Sequence, residues 1–271
     1  MTLSIATWNI NSVRLRIRQV GLFLDRYQPD ILCLQEIKCP DDRFPAAPFK
    51  RRGYGHILVN GQRGYHGVAI VSRLPFVAVD KRPFCDKGDA RHAAVTIADG
   101  DGEILLHNFY VPAGGDEPDP AINPKFAHKL AFLDEMRGWL TGAETDRRAI
   151  LVGDLNIAPL ETDVWSHKQL LRVVSHTPIE TALFEDVRAA GGWVDAVRHF
   201  VPPEEKLYTW WSYRAADWAA ADKGRRLDHV WVTPHLRGRL ASAQVVREVR
   251  GWRRPSDHVP VIVGIETEAA A

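Results

Sequence analysis

The feature that most constrains the fold is a recurring set of short apolar segments separated by turn-forming residues. These segments are rich in β-branched and aromatic residues, and most are bounded by Gly, Pro, Asp or Asn, which is typical of β-strands. The predicted strands are Leu3–Asn9, Ile31–Gln35, Gly67–Ser72, Ala93–Ala98, Glu103–Val111, Ala149–Gly153, Leu227–Thr233 and Val259–Ile265. Two longer segments, Val13–Tyr27 and Pro124–Leu140, repeat their apolar residues at helical spacing instead. The sequence therefore predicts a mixed α/β fold with many strands and fewer helices.

Length and composition indicate an ordinary globular chain. The chain has 271 residues, and because sandwiches of this size commonly fold as one unit, we predict a single domain over residues 1–271. Hydrophobic residues make up 45% of the chain and charged residues 25%, which excludes an intrinsically disordered protein. No apolar segment approaches the roughly 18 residues of a membrane span, and no secretory signal precedes the first strand. We therefore expect a cytoplasmic protein.

Polar and ionisable residues recur at the ends of the predicted strands. They are Asn9, Glu36, Tyr110 and Asp154 after an apolar run, and Asp228, Asp257 and His258 before one. Strands buried on both faces have little reason to end repeatedly in carboxylates unless those ends meet at one rim. We therefore predict a functional site where these strand ends come together.

The types of side chain at this rim indicate its chemistry. Carboxylate and amide oxygens with a single His and no nearby Cys suit a hard cation, Mg²⁺ or Mn²⁺, whereas zinc recruits more His or Cys. A hard cation among carboxylates is typical of phosphate chemistry, in which a carboxylate activates water and a His hydrogen-bonds the phosphate. Taken singly, each of these residues is as easily a turn or structural residue. The prediction rests on their occurring together.

Several short motifs occur in the order in which a known nuclease family carries them. The segments Thr7–Arg14, Leu34–Lys38, Tyr110–Pro112, Gly153–Pro159, Trp210–Arg214, Arg226–His229 and Ser256–Pro260 resemble the exonuclease III family of abasic-site endonucleases. The resemblance covers nearly the whole chain, and the ordered set is far more specific than any single motif. It implies a DNase I-like, four-layered α/β sandwich with two packed mixed β-sheets flanked by helices, as in the wider endonuclease/exonuclease/phosphatase superfamily.

The resemblance also implies metal ligands. It implies that Glu36 is the principal metal carboxylate, with Asn9 and Asp257 nearby. A second ion, if the enzyme uses one, would bind at Asp154 and Asn156. The implied cofactor is Mg²⁺, with Mn²⁺ as a substitute.

Catalytic roles follow from the same resemblance. Asp154 is implied to activate or position the attacking water, and Asn156 to hold it. His258 would contact the scissile phosphate, and Asp228 would orient His258. Tyr110 is implied to be a further phosphate contact.

Substrate contacts are harder to predict. The formal net charge is only +1, so attraction to a polyanion must come from a local patch. Arg14 and Arg91 match positions that meet phosphates in the family, although a solvated surface role is equally open. Alternation along a strand sends only one of Trp210 and Trp211 outward, and the family match favours Trp210, with a plain core role as the alternative.

The implied function is DNA repair. The resemblance implies a phosphodiesterase that incises double-stranded DNA 5′ to abasic sites and trims damaged 3′ ends, acting as a monomer in the cytoplasm, associated with the nucleoid. Two departures concern the DNA path: Ala113 replaces the amide side chain that many relatives carry, and the loop Gly114–Asn123 is acidic. The rivals are a superfamily enzyme acting on RNA or on inositol or lipid phosphates, and a DNA-binding module without catalysis.

Overall fold

The computed structural model describes residues 1–100, 102–141 and 146–267. Its strands are β1 (Thr2–Asn9), β2 (Ile31–Gln35), β3 (His56–Asn60), β4 (Val68–Ser72), β5 (Ala78–Asp80), β6 (His92–Asp99), β7 (Gly102–Tyr110), β8 (Ala149–Asp154), β9 (Val194–Asp195), β10 (Trp210–Trp211), β11 (Gly224–Arg225), β12 (Asp228–Val232), β13 (Leu240–Val245) and β14 (Val261–Glu266). Its helices are α1 (Ile17–Tyr27), α2 (Ala46–Lys50), α3 (Pro124–Trp139), α4 (His167–Leu170), α5 (Pro178–Ala190), α6 (Trp218–Ala221) and α7 (Pro234–Arg237).

The strands form two large sheets and one small ribbon. The first sheet is 6-stranded in the order β13-β14-β1-β2-β4-β3, and the second is 6-stranded in the order β5-β6-β7-β8-β12-β9. Both are mixed, because β1 and β2 are parallel in the first sheet, β7 and β8 are parallel in the second, and the other neighbours are antiparallel. Strands β10 and β11 form a separate antiparallel ribbon.

The main apolar core lies between the two sheets. Ile5 and Cys33 of the first sheet belong to the same fully buried cluster as Val95 and Val152 of the second. This burial makes the central strands apolar on both faces, as their sequences predicted. The single domain predicted over residues 1–271 stays a prediction, because its last residues lie outside the described ranges.

Helices cover the outer face of each sheet. On the first sheet, Trp8 packs with Phe23 of α1 in one buried cluster. On the second, Phe109 and Trp231 pack with residues of α3 and α5 in another. The result is the predicted four-layered sandwich, and the fold class is confirmed. None of the described helices is both long enough and apolar enough to cross a membrane.

The helices that cover the second sheet begin at strong capping signals. Asn123 accepts a hydrogen bond from the backbone N–H of Lys125, and Pro124 follows it as the first helical residue of α3. Thr177 and Glu180 form a reciprocal capping box at the start of α5. The first of these helices was predicted, and it ends one residue earlier than expected. Helix α5 was not predicted.

Differences from the predicted elements have local causes. Helix α1 begins at Ile17 rather than Val13, because residues 13–16 form a turn in which the Val13 N–H donates to the Ile37 carbonyl oxygen. Strand β14 begins at Val261 rather than Val259, whose N–H bonds to Thr209 outside the sheet. The remaining predicted strands are present with small shifts of their ends. Those missed are short or at sheet edges, namely β3, β5, β9, β10, β11 and β13.

Candidate active site

The second sheet brings three of the predicted polar residues together. Asp154, at the end of β8, pairs with Asp228 at the start of antiparallel β12 and with Tyr110 at the end of parallel β7. The residue before Asp154 must be glycine, because Gly153 has φ 145° and a Cβ there would lie 1.9 Å from the carbonyl oxygen of Phe109. Gly153 therefore lets the backbones of β7 and β8 approach closely, and this places the Asp154 carboxylate at the edge of the sheet.

The first sheet supplies the facing residues. Asn9 ends β1 and pairs with Gln35, which ends the parallel strand β2, so Glu36 follows directly at the same edge. The chain then turns sharply, with left-handed backbone at Glu36 (φ 49°) and at Asn11 (φ 46°). Such conformations cost about 1–3 kcal/mol in a non-glycine residue and often occur at functional sites.

Hydrogen bonds join the two sheets at this edge. Asn9 Nδ2 donates to Glu36 Oε1 at 2.9 Å and to Asp154 Oδ2 at 2.8 Å. The Tyr110 hydroxyl donates to Glu36 Oε1 at 3.0 Å. Glu36 and Asp154 are thus held close together across the gap between the sheets, with one amide group between them.

His258 completes the cluster through a buried pair with Asp228. Its Nδ1 lies 2.8 Å from Asp228 Oδ2, and its Nε2 lies 3.7 Å from Asp154 Oδ2. The Trp8 indole donates to the His258 carbonyl oxygen at 3.1 Å, which fixes the backbone. Burial opposes the charged imidazolium, but the carboxylates of Asp228 and Asp154 outweigh it and raise the pKa of His258 to about 10. The ring is therefore cationic at neutral pH.

Asp154 is the most perturbed carboxylate of the cluster. Burial raises its pKa, His258 opposes the shift, and the neighbouring carboxylates of Asp228 and Glu36 add to it, giving a pKa of about 7. A carboxylate with this pKa takes up a proton more readily near neutral pH than an ordinary aspartate does.

Lys38 and Asn11 connect Glu36 to the remaining predicted acid. Lys38 Nζ lies 2.8 Å from Glu36 Oε2 and donates to Asn11 Oδ1 at 2.6 Å. Asn11 Nδ2 donates to Asp257 Oδ1 at 3.1 Å, and the Trp210 indole donates to Asp257 Oδ2 at 3.0 Å. Although burial opposes ionisation of Glu36, the Lys38 ammonium holds its pKa below the usual value.

Asn156 is held by backbone and side-chain contacts. It has left-handed backbone (φ 55°), its N–H donates to Asp154 Oδ1 at 3.0 Å, and its Nδ2 donates to the Val111 carbonyl oxygen at 2.9 Å. Behind it, the fully buried Lys129 donates to the Asn156 carbonyl oxygen at 2.7 Å and forms an ion pair with Glu180. Because Nδ2 is held at the Val111 carbonyl oxygen, Oδ1 on the other side of the Asn156 amide group points away from Val111.

An open cavity of about 870 Å³ lies above the cluster. Its lining includes Glu36, Tyr110, Asp154, Asn156, Asp257 and His258 from the cluster, and Trp165, Trp210, Trp211, Arg214, Trp218, Lys223, Arg225 and Leu227 from the surrounding wall. The cluster supplies most of the acidic groups, and the surrounding wall supplies aromatic and cationic groups together with Asp116 and Asp217. This combination suits an anionic, ring-bearing ligand.

Comparison with known proteins agrees with this geometry. A family model described as the Endonuclease/Exonuclease/phosphatase family matches residues 6–258. The chain belongs to this family. Exodeoxyribonuclease III of Haemophilus influenzae is 29% identical over 265 residues, covering 94% of this chain and 97% of the relative. The predicted membership of the exonuclease III group is therefore confirmed.

Solved structures of other family members are similar over almost the whole length. An AP endonuclease from Archaeoglobus fulgidus has 31% identity and a TM-score of 0.89, covering 98% of this chain and 100% of that one. The 3′ phosphatase NExo from Neisseria, bound to a product DNA hairpin, has 32% identity and a TM-score of 0.88 with the same coverage. The chain is thus an enzyme of a group that hydrolyses phosphoester bonds in DNA.

The donor set of this family member fits a divalent cation. The carboxylates of the cluster are Glu36, Asp154, Asp228 and Asp257, whereas the cations in contact with them are Lys38 and His258. The carboxylates are therefore in excess, which agrees with the raised pKa of Asp154. Oδ1 of Asp228 is also buried and accepts no hydrogen bond from the part of the chain described. Oxygen donors with excess negative charge suit Mg²⁺ or Mn²⁺.

The position of the cation within this cluster has two alternatives. Asn9, Glu36 and Asp154, all predicted ligands, are in direct contact. In the described residues, however, the acidic and His groups whose ligand atoms all lie within 4.8 Å of one another are Asp154, Asp228 and His258. Asp154 belongs to both sets. The predicted ligand set of Asn9, Glu36, Asp154, Asn156 and Asp257 stays a prediction.

The two predicted phosphate-binding arginines lie in different environments. Arg14 is exposed and is not among the residues that line the cavity. Arg91 is only 6% exposed, and it donates to Asp89 and to the Tyr110 carbonyl oxygen while its guanidinium carbon lies 5.0 Å from the Tyr110 ring centroid. This geometry supports Tyr110 from beneath. Contact of either arginine with phosphate stays a prediction.

The tandem tryptophans differ in exposure, as strand alternation predicted, although both line the cavity. Trp211 is 1% exposed and packs with Tyr208 and Val259, whereas Trp210 is half-buried. Trp210 also bonds to Asp257 and lines the cavity. The role of Trp210 as a substrate contact remains a prediction, and its ring lies beside the cluster.

Sequence reasoning gave no role to Lys38 or Asn11. Lys38 and Asn11 each follow a predicted ligand by two residues, within motifs already quoted, and that spacing was an available signal. Arg225 and Arg226 together were one of several arginine clusters that could form a local basic patch for a polyanion, and the sequence did not distinguish the two residues. The structure instead buries Arg226 at 1% exposure and lines the cavity with Arg225.

Proposed function

We propose that this chain hydrolyses phosphodiester bonds of double-stranded DNA as an exodeoxyribonuclease III-type AP endonuclease, cutting 5′ to abasic sites and trimming damaged 3′ ends. The observation that carries the proposal is the contact between Asp154 and both halves of the cluster. Through Asn9 it meets Glu36 of the first sheet, and it lies 3.7 Å from the imidazolium of His258. The proposed water activator, metal carboxylate and hydrogen-bond donor to phosphate would therefore share one cavity, an arrangement that suits hydrolysis of a phosphodiester.

The proposed roles follow from these contacts. Asp154 accepts the proton of the attacking water, and Asn156, whose amide nitrogen is held by Val111, presents Oδ1 to orient that water. His258 donates from Nε2 to a non-bridging phosphate oxygen, while Asp228 holds its Nδ1. As the water oxygen bonds to phosphorus, the bond from phosphorus to the 3′ oxygen of the upstream nucleotide breaks, and that oxygen takes up a proton from solvent water. A strand with a free 3′ hydroxyl results.

The proposed cofactor is Mg²⁺, with Mn²⁺ able to replace it. Glu36 would hold the ion, with Asn9 and Asp257 nearby, and a second ion, if the enzyme uses one, would bind at Asp154 and Asn156. A bound ion would stabilise negative charge on the phosphate and the leaving oxygen. Tyr110, which donates to Glu36, is placed to contact the phosphate on the same side.

Duplex DNA is the proposed partner. The cavity wall of Trp210, Lys223 and Arg225 supports it, because aromatic and cationic groups together suit nucleotides. We propose that Arg14 contacts the DNA at the protein surface and that Arg91 assists DNA binding indirectly, by packing against Tyr110. Every group in the cluster comes from one chain, so we propose that a monomer suffices. Since chromosomal DNA is the proposed substrate, we also propose a cytoplasmic, nucleoid-associated location.

A time course on one labelled abasic duplex tests this function. With Mg²⁺, incision beside the abasic site is expected first and trimming of the new 3′ end later, and excess chelator is expected to abolish both. Asp154→Asn should lower the rate by several orders of magnitude. Asp186→Asn, an exposed carboxylate of α5, is the matched control and should cut at the normal rate. Activity confined to RNA or to soluble phosphomonoesters would overturn the proposal, as would full cutting in excess chelator.

A further inference from the structure

Arg225 occupies a fixed position in the wall of the catalytic cavity. It lies on the short strand β11, and its Nη1 donates to the Val174 carbonyl oxygen at 3.0 Å and to Ser175 Oγ at 2.8 Å. Its guanidinium carbon lies 5.3 Å from the ring centroid of Trp210. These contacts hold the guanidinium group in one place rather than leaving it to move in solvent.

The charge of Arg225 has no counter-charge in direct contact. No carboxylate of the described residues lies within ion-pair distance of it, and the nearest one that affects it electrostatically, Glu180, is already paired with Lys129. Burial lowers the pKa of Arg225, which reflects the cost of keeping this cation away from water. A largely buried cation without an anion is unfavourable, so such a group commonly marks the place of an anionic ligand.

One edge of the guanidinium group has no hydrogen-bond partner among the described residues. Nε is buried and has no hydrogen-bond partner, and Nη2 makes no hydrogen bond to the part of the chain described. The Nε and Nη2 hydrogens of an arginine are parallel and match the two oxygens of a carboxylate or phosphate. The edge that the protein does not use is therefore the one that recognises an oxyanion.

Arg225 lies beside the catalytic cluster but is separated from it by one ring. The Trp210 indole donates to Asp257 at 3.0 Å, whereas Arg225 packs on the ring itself. An oxyanion at Arg225 would thus be a second group of the substrate rather than the phosphate bound at His258.

We propose that the unpartnered edge of Arg225 binds a second oxyanion of the substrate, apart from the scissile phosphate, and that this contact determines which substrates the enzyme prefers. The inference rests on the proposed function. Two sources supply the required chemistry. One is the carboxylate of a sugar fragment at a damaged 3′ end, as in a 3′-phosphoglycolate, and the other is the next phosphate of a strand that continues past an abasic sugar.

Neutral substitutes for each oxyanion test the proposal without altering the protein. The first pair of duplexes ends in 3′-phosphoglycolate or in the corresponding uncharged glycolamide. The second pair carries an internal abasic analogue followed by a normal phosphate or by an uncharged methylphosphonate. For at least one pair, we expect the wild-type enzyme to favour the charged member by about 10- to 100-fold in kcat/KM, the range of a hydrogen bond to a charged group.

Variants of Arg225 then assign the preference to this residue. Arg225→Gln should reduce the preference for the charged member towards one, and Arg225→Lys should restore it only in part, because a lysine keeps the charge but loses the parallel donors. Arg172→Gln, which removes an exposed arginine outside the cavity lining, is the control and should keep the wild-type preference. The pair whose preference is lost identifies the source of the oxyanion.

The outcomes separate this inference from the proposed function. If no duplex is cut, the proposed function fails. If the duplexes are cut but charged and neutral members react equally, or if Arg225→Gln keeps the preference, the anion site is refuted. An equal loss on all four duplexes with a lower melting temperature would likewise refute it and assign Arg225 to packing of the Trp210 wall.

Discussion

Replacing Asp228 with asparagine tests how much of catalysis depends on the charge that holds His258. Asp228 is fully buried, and its Oδ2 lies 2.8 Å from His258 Nδ1. Asparagine keeps the shape and can still accept the hydrogen bond, but it leaves the imidazolium without its nearest counter-charge. Removing one partner of a buried ion pair costs about 3–5 kcal/mol. This cost falls on folding stability, and the loss in the reaction is that of one donor to the charge developing on the phosphate, so we expect Asp228→Asn to lower kcat by about 100- to 1,000-fold.

The assay is single-turnover cleavage of an abasic duplex at saturating Mg²⁺, with the melting temperature measured in parallel. Asp163→Asn is the matched control, because Asp163 is also fully buried and paired with a cation, Arg198, but does not line the cavity. We expect the control to melt at a lower temperature and to keep most of its kcat. A kcat of Asp228→Asn within tenfold of wild type would refute the role given to this charge.

Three further predictions concern the substrate wall, the DNA surface and stability. Trp210→Ala should cut abasic DNA at least about tenfold more slowly, because one buried aromatic contact with the substrate is lost. The preference for abasic over undamaged strands should decrease, whereas the metal requirement should stay the same. A lower melting temperature with an unchanged preference would assign the ring to packing. Affinity for duplex DNA should fall with salt at a log–log slope of roughly −0.9 per neutralised phosphate, and Arg14→Ala should reduce that slope by about one unit, whereas an unchanged slope removes Arg14 from the interface. Asp195→Asn should lower the melting temperature at neutral pH. Although burial opposes ionisation of Asp195, Arg226 lowers its pKa. The carboxylate therefore stabilises the fold above its unfolded pKa of about 4, and this stabilisation is lost on acidification. A difference between variant and wild type that fails to shrink below that pH would contradict this.

Much of the site could be predicted because strand ends carry positional information. A buried strand leaves little choice of residue along its length, so a carboxylate at its end is conspicuous. Asp154 ends one strand and Asp228 begins another, and antiparallel pairing of neighbouring strands brings such residues opposite each other. The sequence did not say which strands were neighbours. The family resemblance predicted two packed sheets but no strand order, which the structure supplies.

The contacts of long side chains could not be predicted in the same way. Arg91 and Arg225 are both arginines in polar segments, where a solvated position is the ordinary outcome. The fold instead places Arg91 beneath Tyr110 and Arg225 against Trp210. Which surface an arginine covers depends on elements distant in the chain, in the case of Arg225 the loop at Val174 and the ribbon at Trp210. Local patterns carry no information about either.

The separation of charge explains how a carboxylate-rich cluster can bind a polyanion. Glu36, Asp154 and Asp257 repel phosphate unless cations balance them, and Lys38 and His258 do so only in part. A bound divalent cation would supply the remainder at the point of reaction. Arg225 is a cation of the cavity wall, and the Trp210 ring separates it from the acidic groups of the cluster. The Arg225 guanidinium therefore forms no ion pair with them. The positive charge of Arg225 thus remains unpaired among the described residues and can bind the substrate, although the catalytic cluster in the same cavity is negative. Binding of DNA depends on such local charge, so it is compatible with a net charge of only +1 for the whole chain.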